Sequence, residues 1–155
     1  DSYGDGWNGA SIDIEVGGES YYFTVTGYTD SISSIKIFNS SDSFVEYTVE
    51  VVSSQESQQR GLMFRENLNS NEGMLFLFKV PKKASFWMKN TLISLDLIFI
   101  KENGKVDSIY QNLEPLSLKS IKSKSKVKAA LEIPGGHAEL HGINQNSYIN
   151  IGLIE

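Results

Sequence analysis

The chain is 155 residues long, 40% hydrophobic and 21% charged, the balance of a globular domain long enough to bury a core without covalent staples. It has no cysteine and two histidines, which excludes disulfide frameworks, thiolate metal sites and cysteine nucleophiles and leaves histidine chemistry only His137 and His141. The net charge of −5 is uneven: residues 1–50 hold nine acids and one base, and residues 51–155 hold thirteen bases and ten acids. Such asymmetry marks two units, an interaction face, or an acidic segment that neutralises a basic one. No apolar run approaches the roughly 18 residues of a membrane helix, so no membrane insertion is expected.

Asp1 opens the chain without a basic or apolar leader, and no targeting segment is expected within it. The stretch Asp1–Gly9 is dense in Asp, Asn and Gly. It partly matches a calcium loop, but Tyr3 stands where an oxygen ligand belongs and no Glu closes the loop; tight turns are the simpler expectation. The same stretch resembles a short motif of secreted, multidomain bacterial proteins.

From there a two-residue period dominates. Ile12, Ile14 and Val16 alternate with Ser11, Asp13 and Glu15, the pattern of a half-buried strand. Gly17-Gly18 reads as a hairpin turn into Tyr22–Val25. Ile35–Phe38 and Val45–Val51 are further β-branched and aromatic runs. Ser53 and Glu56 have the spacing of a capping box ahead of a two-turn helix that Gly61 stops. Strands are expected again at Gly73–Phe78, Ala84–Lys89, Leu95–Lys101 and Lys105–Tyr110. The last two flank Asn103-Gly104, the strongest local hairpin signal, because a type I′ turn needs positive φ at both central residues. Ser117–Lys128 is lysine- and serine-rich and reads as a solvated loop or edge strand. Val127–Ile133 and Tyr148–Ile154 complete the strands, with one helical turn over Gly136–His141 closed by Gly142.

About ten strands with little helix and no βαβ alternation define an all-β fold. The expected architecture is an antiparallel β-sandwich or jelly-roll-like barrel with one or two very short helices. Residues 1–44 form an acidic, β-rich N-terminal extension that either adds strands to the same sandwich or stands apart. Residues 45–155 form the main domain.

The candidate chemistry gathers around two segments. In Ala84–Thr91, strand alternation puts Trp87, Lys89 and Thr91 on one face, a stacking platform with a polar rim. The alternative is a core tryptophan with the lysine stem lying along it. In Leu95–Ile100, Asp96 is a lone carboxylate in an apolar strand and must be paired or protonated if buried. Arg60, Arg65, Lys89 and Asn90 are its candidate partners. Arg60 and Arg65 bracket a turn and could also hold an anion, or lock Glu66 or Glu72. Asp96, Glu114 and Glu132 are the carboxylates available to a hydrolase. His137 and His141, four apart, are two metal-ligand types without a third, and no metal site is expected. The lysine stretch lacks interleaved aromatics in an acidic chain, so no nucleic-acid partner is expected.

Arg60-Gly-Leu-Met-Phe-Arg65, Gly73-Met-Leu-Phe76, Phe86-Trp-Met-Lys-Asn-Thr91, Leu95-Asp-Leu-Ile-Phe99, Glu114-Pro-Leu-Ser117 and Leu131-Glu-Ile-Pro-Gly135, in that order, resemble the bacterial and archaeal family called domain of unknown function 192, over about residues 45–155. The resemblance implies a compact β fold and relatives that often carry signal peptides, hence a secreted or periplasmic location. It does not supply an activity, since none is established for the family, and no cofactor is expected. Ser94 stands where the family usually has proline. His137 and His141 fall where relatives often have a small and an apolar residue.

The leading expectation is an extracytoplasmic domain that binds a polar small molecule or glycan. Trp87 would stack on it, with Lys89, Arg65 and Asp96 hydrogen-bonding and Arg60, Asn90 and Thr91 beside them. The alternatives are a hydrolase that uses Asp96 with a second carboxylate, and a protein-interaction or scaffold module.

Overall fold

The computed structural model describes residues 10–16, 19–25, 31–39 and 43–151. β1 (Ala10–Val16) and β2 (Glu19–Val25) pair antiparallel with Val16 opposite Glu19. The Gly17-Gly18 turn between them lies outside the described residues, as does the calcium-like stretch 1–9. The remaining strands are β3 (Ser31–Phe38), β4 (Phe44–Val52), β5 (Glu72–Lys82), β6 (Ser85–Phe86), β7 (Leu95–Ile100), β8 (Val106–Leu113), β9 (Ile121–Lys122), β10 (Val127–Pro134) and β11 (Tyr148–Ile149). The helices are α1 (Gln55–Arg60) and α2 (His137–Leu140).

Seven strands form one sheet in the order β11-β3-β4-β5-β10-β7-β8, and β6 pairs with β9 in a separate ribbon. The all-β class expected from the alternation holds. One pair departs from the antiparallel expectation: β4 and β5 run parallel, Val52 beside Phe76. Parallel neighbours need a crossover of a dozen or more residues, and the segment from Val52 to Glu72, which contains α1, supplies it. β3 falls within the segment 1–44 and is a strand of this main sheet.

The sheet curls until its edges meet. Lys105, at the start of β8, bridges Tyr148 of β11, and the Ile149 N–H donates to the Gly104 carbonyl at 2.9 Å. A Cβ at Gly104 would run into the Ile149 carbonyl oxygen, and its φ is +87°; glycine makes this approach possible. Asn103 has no positive φ. The hairpin therefore closes as a turn from Lys101 to Gly104, with Gly104 N–H to Lys101 O at 2.9 Å, rather than as the expected type I′ turn.

Each central strand is buried on both faces. One face carries Ile35, Ile37, Tyr47, Val49, Leu75, Ile98, Leu131, Val106 and Ile149 in a single cluster to which all seven strands contribute, as the inside of a curled sheet must. The other carries Val52, Met74, Phe76, Phe78, Leu97, Phe99 and Ala130, and is roofed by Leu62, Ala84, Met88 and Ile121. Two buried faces explain why Leu95–Ile100 is apolar almost without alternation.

The roof is tied down by polar contacts. Ser57 donates its backbone N–H to the Ser54 hydroxyl at 3.1 Å, so the N-cap is Ser54, one residue later than the capping-box spacing suggests. Gln58 Nε2 donates to the carbonyls of Val52 (3.1 Å) and Leu77 (2.9 Å), fixing α1 across the end of the parallel pair. Asp107 holds the lysine-rich loop by accepting the N–H groups of Lys124 and Ser125 and the hydroxyls of Ser108 and Ser125. Burial raises the Asp107 pKa, but these bonds outweigh it and keep the carboxyl below its usual range.

Candidate functional site

On the roofed face, the sequence leaves a cleft of about 950 Å³. One wall is α1 and the turn after it, Arg60 to Met63; the other is the β6 segment, Ala84 to Trp87. Phe76 and Phe78, alternate residues of β5, line it from the sheet, with Lys79, Lys82 and Thr91 beside them. Phe76 and Phe86 pack edge to face at 4.8 Å, and Phe86 continues onto Phe99 at 5.6 Å, so the aromatic wall is braced from behind. Gly61, with φ +49°, lets the chain turn close over the Phe76 ring.

Glu132 of β10 also lines this cleft. It is opposite Met74 on β5 and Leu97 on β7, and Met74 in turn is opposite Glu50 on β4. Glu50 and Glu132 thus share one cross-strand row on the cleft face. Glu50 is ion-paired with both terminal guanidinium nitrogens of Arg65, Nη1 and Nη2. Glu132 is only 5% exposed, and no described residue donates to its carboxyl. Burial without a partner pushes its pKa up to about 8, so at neutral pH it is a carboxylic acid, able to donate as well as accept a hydrogen bond.

The residues expected to form one site are divided. Arg60, Trp87 and Thr91 line the cleft. Trp87 is 47% exposed, with the Lys89 ammonium 5.0 Å from its ring centroid, a cation–π contact in place of a buried tryptophan. The strand expected across Ala84–Lys89 ends at Phe86. Asn90 then adopts φ +56°, its carbonyl accepting from the Phe64 N–H at 2.8 Å. This turn sends Thr91 inward, 5% exposed, where its hydroxyl donates to the Lys89 carbonyl at 3.2 Å, while the Lys89 side chain stays on the surface. Arg65 pairs with Glu50, not with Asp96, Glu66 or Glu72.

Asp96 stands on the opposite face of the sheet. None of the expected side chains is its partner: it accepts the backbone N–H groups of Asn112 (2.8 Å), Gly136 (3.0 Å) and Ala138 (2.8 Å). It therefore clamps the start of α2 to β7 and β8. Near it, the Tyr47 hydroxyl lies 3.3 Å from His137 Nδ1, and His141 packs edge-on to Tyr47. Burial, and secondarily the Asp96 charge, raise the Tyr47 pKa to about 12. Asp96 and Glu132 do not share a cleft, and Glu114 is on the surface, so the carboxylate pair of the hydrolase alternative does not assemble around Asp96.

Sequence reasoning did not select Phe76, Phe78, Phe86, Lys79 or Lys82 as site residues, and named Glu132 only as a spare carboxylate. Its signal was the one used for Asp96: a single acid in an apolar strand. Which face each acid met was decided by pairing.

These features define a curled all-β domain with a roofed, aromatic-walled cleft. The chain belongs to the DUF192 family, "Uncharacterized ACR", which it matches over residues 36–151. No curated protein matches the chain. Among solved structures, it is similar to a proposed transcription regulator from Sinorhizobium meliloti 1021, with 28% identity and a TM-score of 0.76 over 77% of this chain and 93% of that one. It is also similar to a protein of unknown function from Novosphingobium aromaticivorans DSM 12444, with 29% identity and a TM-score of 0.75 over 93% of this chain and 94% of that one. Among the described residues, no helix is long and apolar enough to cross a membrane.

Proposed function

We propose that this protein is a binding module for a small polar ligand held between α1 and the β6 segment, working outside the cytoplasm as its family resemblance implies. The observation that carries the binding reading is Glu132, a carboxyl buried in the wall of an open cleft with no internal donor. A carboxyl with so little access to water is poorly solvated, and a ligand that reaches it through the cleft and hydrogen-bonds it offsets that cost. Phe86 and Trp87 offer ring surface to the apolar side of the ligand, while the exposed Ser85 and Gln59 offer polar atoms along the rim. A sugar ring or another compact, ring-bearing polar molecule has both faces.

The test is a thermal melt of the intact protein against glycans, nucleotides and small ring-bearing acids. A ligand at 100 times its Kd stabilises by about 2.7 kcal/mol, a shift of several degrees at this size. Trp87→Ala is expected to weaken binding by on the order of 1–3 kcal/mol, and Glu132→Ala to remove it while the protein still melts cooperatively. A hit that survives both substitutions unchanged would place the ligand elsewhere. Cell fractionation of the full-length protein checks the compartment.

A further inference from the structure

We propose that the cleft selects a small anion carrying a flat ring; this sharpens the binding reading and rests on it. The cleft is lined by three cationic side chains, Arg60, Lys79 and Lys82, and by one acid, Glu132. Whether Glu132 is ionised or protonated, the lining carries net positive charge although the chain as a whole is at −5. A cationic ligand would meet three cationic side chains against a single acid. An anion finds ammonium groups at the rim and an O–H donor deeper in.

The ring follows from where the charges sit. The Lys82 ammonium lies 4.6 Å from the centroid of Phe78, and the Lys89 ammonium 5.0 Å from that of Trp87. Phe78 and Trp87 both line the cleft. Each cation is thus stationed on an aromatic surface. A ligand with a flat ring and an attached carboxylate or phosphate can pack against the aromatic wall and ion-pair with the ammonium beside it. A bare inorganic anion would use the charge and waste the rings; a neutral ring would do the reverse.

The experiment is an NMR titration of the intact, ¹⁵N-labelled protein with three probes of similar ring: phenyl phosphate, benzyl alcohol and benzylammonium. Phenyl phosphate is expected to shift the amides of residues 60–63 and 84–87 and the Trp87 indole N–H. Benzyl alcohol is expected to bind the same residues about tenfold more weakly or worse, and benzylammonium not to bind. Lys79→Glu with Lys82→Glu, both at exposed positions, is expected to weaken phenyl phosphate by at least about tenfold and leave benzyl alcohol unchanged. Equal affinity for phosphate and alcohol, or indifference to the charge reversal, overturns the anion preference while the binding reading stands. No shift at the cleft with any probe overturns both.

Discussion

Two carboxylates that look alike in the sequence end in opposite chemical situations. Asp96 and Glu132 are each a lone acid in an apolar strand. Asp96 receives three backbone N–H groups; Glu132 receives none, and its pKa rises from 4.5 to about 8. The sign of the consequence follows from proton uptake. Between pH 4.5 and 8 the folded state holds a proton on Glu132 that the unfolded chain has lost, so stability is full below 4.5 and falls as pH rises through about 8. Glu132→Gln removes this linkage. The variant should melt several degrees above the parent at pH 8, the gap closing toward pH 4.5; equal melting temperatures across that range would show that Glu132 is ionised and solvated. Asp96→Asn puts an NH₂ group among three N–H donors. It should cost roughly 2–4 kcal/mol in urea unfolding and loosen α2 first, whereas a ligand role alone would leave stability intact.

At the scale of elements, the sheet depends on positions where the chain turns back on itself. β6 is two residues long, and the segment after it leaves the strand geometry that alternation suggests. Phe64, Asn90 and Leu116 all have positive φ, and hydrogen bonds link Phe64 to Asn90 and Leu116 to Thr91. These bonds outweigh the cost of the left-handed conformation, and they set which side chains face the cleft. Gly104 plays the corresponding part at the sheet closure. Gly104→Val should cost at least about 1–3 kcal/mol from its φ alone and more from collision with Ile149. Amide exchange at Ile149 should accelerate ahead of exchange in β7 and β10; uniform exchange would mean the edges are joined by something other than this contact.

Among the described residues, the seven-stranded curled sheet carries a core on each face. In it β3 links β11 to β4, whereas β1 and β2 pair with each other. We propose that the boundary of the autonomous domain lies before β3 rather than at residue 45. A chain starting at Ser31 should elute as a monodisperse species in size-exclusion chromatography. One starting at Val45 should aggregate, since the edges of β4 and β11 are then unpaired. Identical behaviour of the two truncations would contradict this boundary.

Much of this protein could be read from the chain itself. Alternation and β-branched runs located most strands, Gly61 and Gly142 marked the ends of both helices, and six ordered motifs pointed to the family that residues 36–151 match. Those signals are local: a period of two, a glycine after a polar run, a motif of a few residues. What the sequence could not specify is which strands become neighbours. The parallel β4–β5 pair, the row that aligns Glu50 with Glu132, and the opposite faces of Asp96 and Glu132 all depend on pairing between distant residues. The cleft exists only because α1 and the β6 segment, far apart in the chain, are brought over the same face. Apolarity tells a residue to leave water; only the assembled sheet decides which of two interiors it enters, and whether a buried acid finds a donor there.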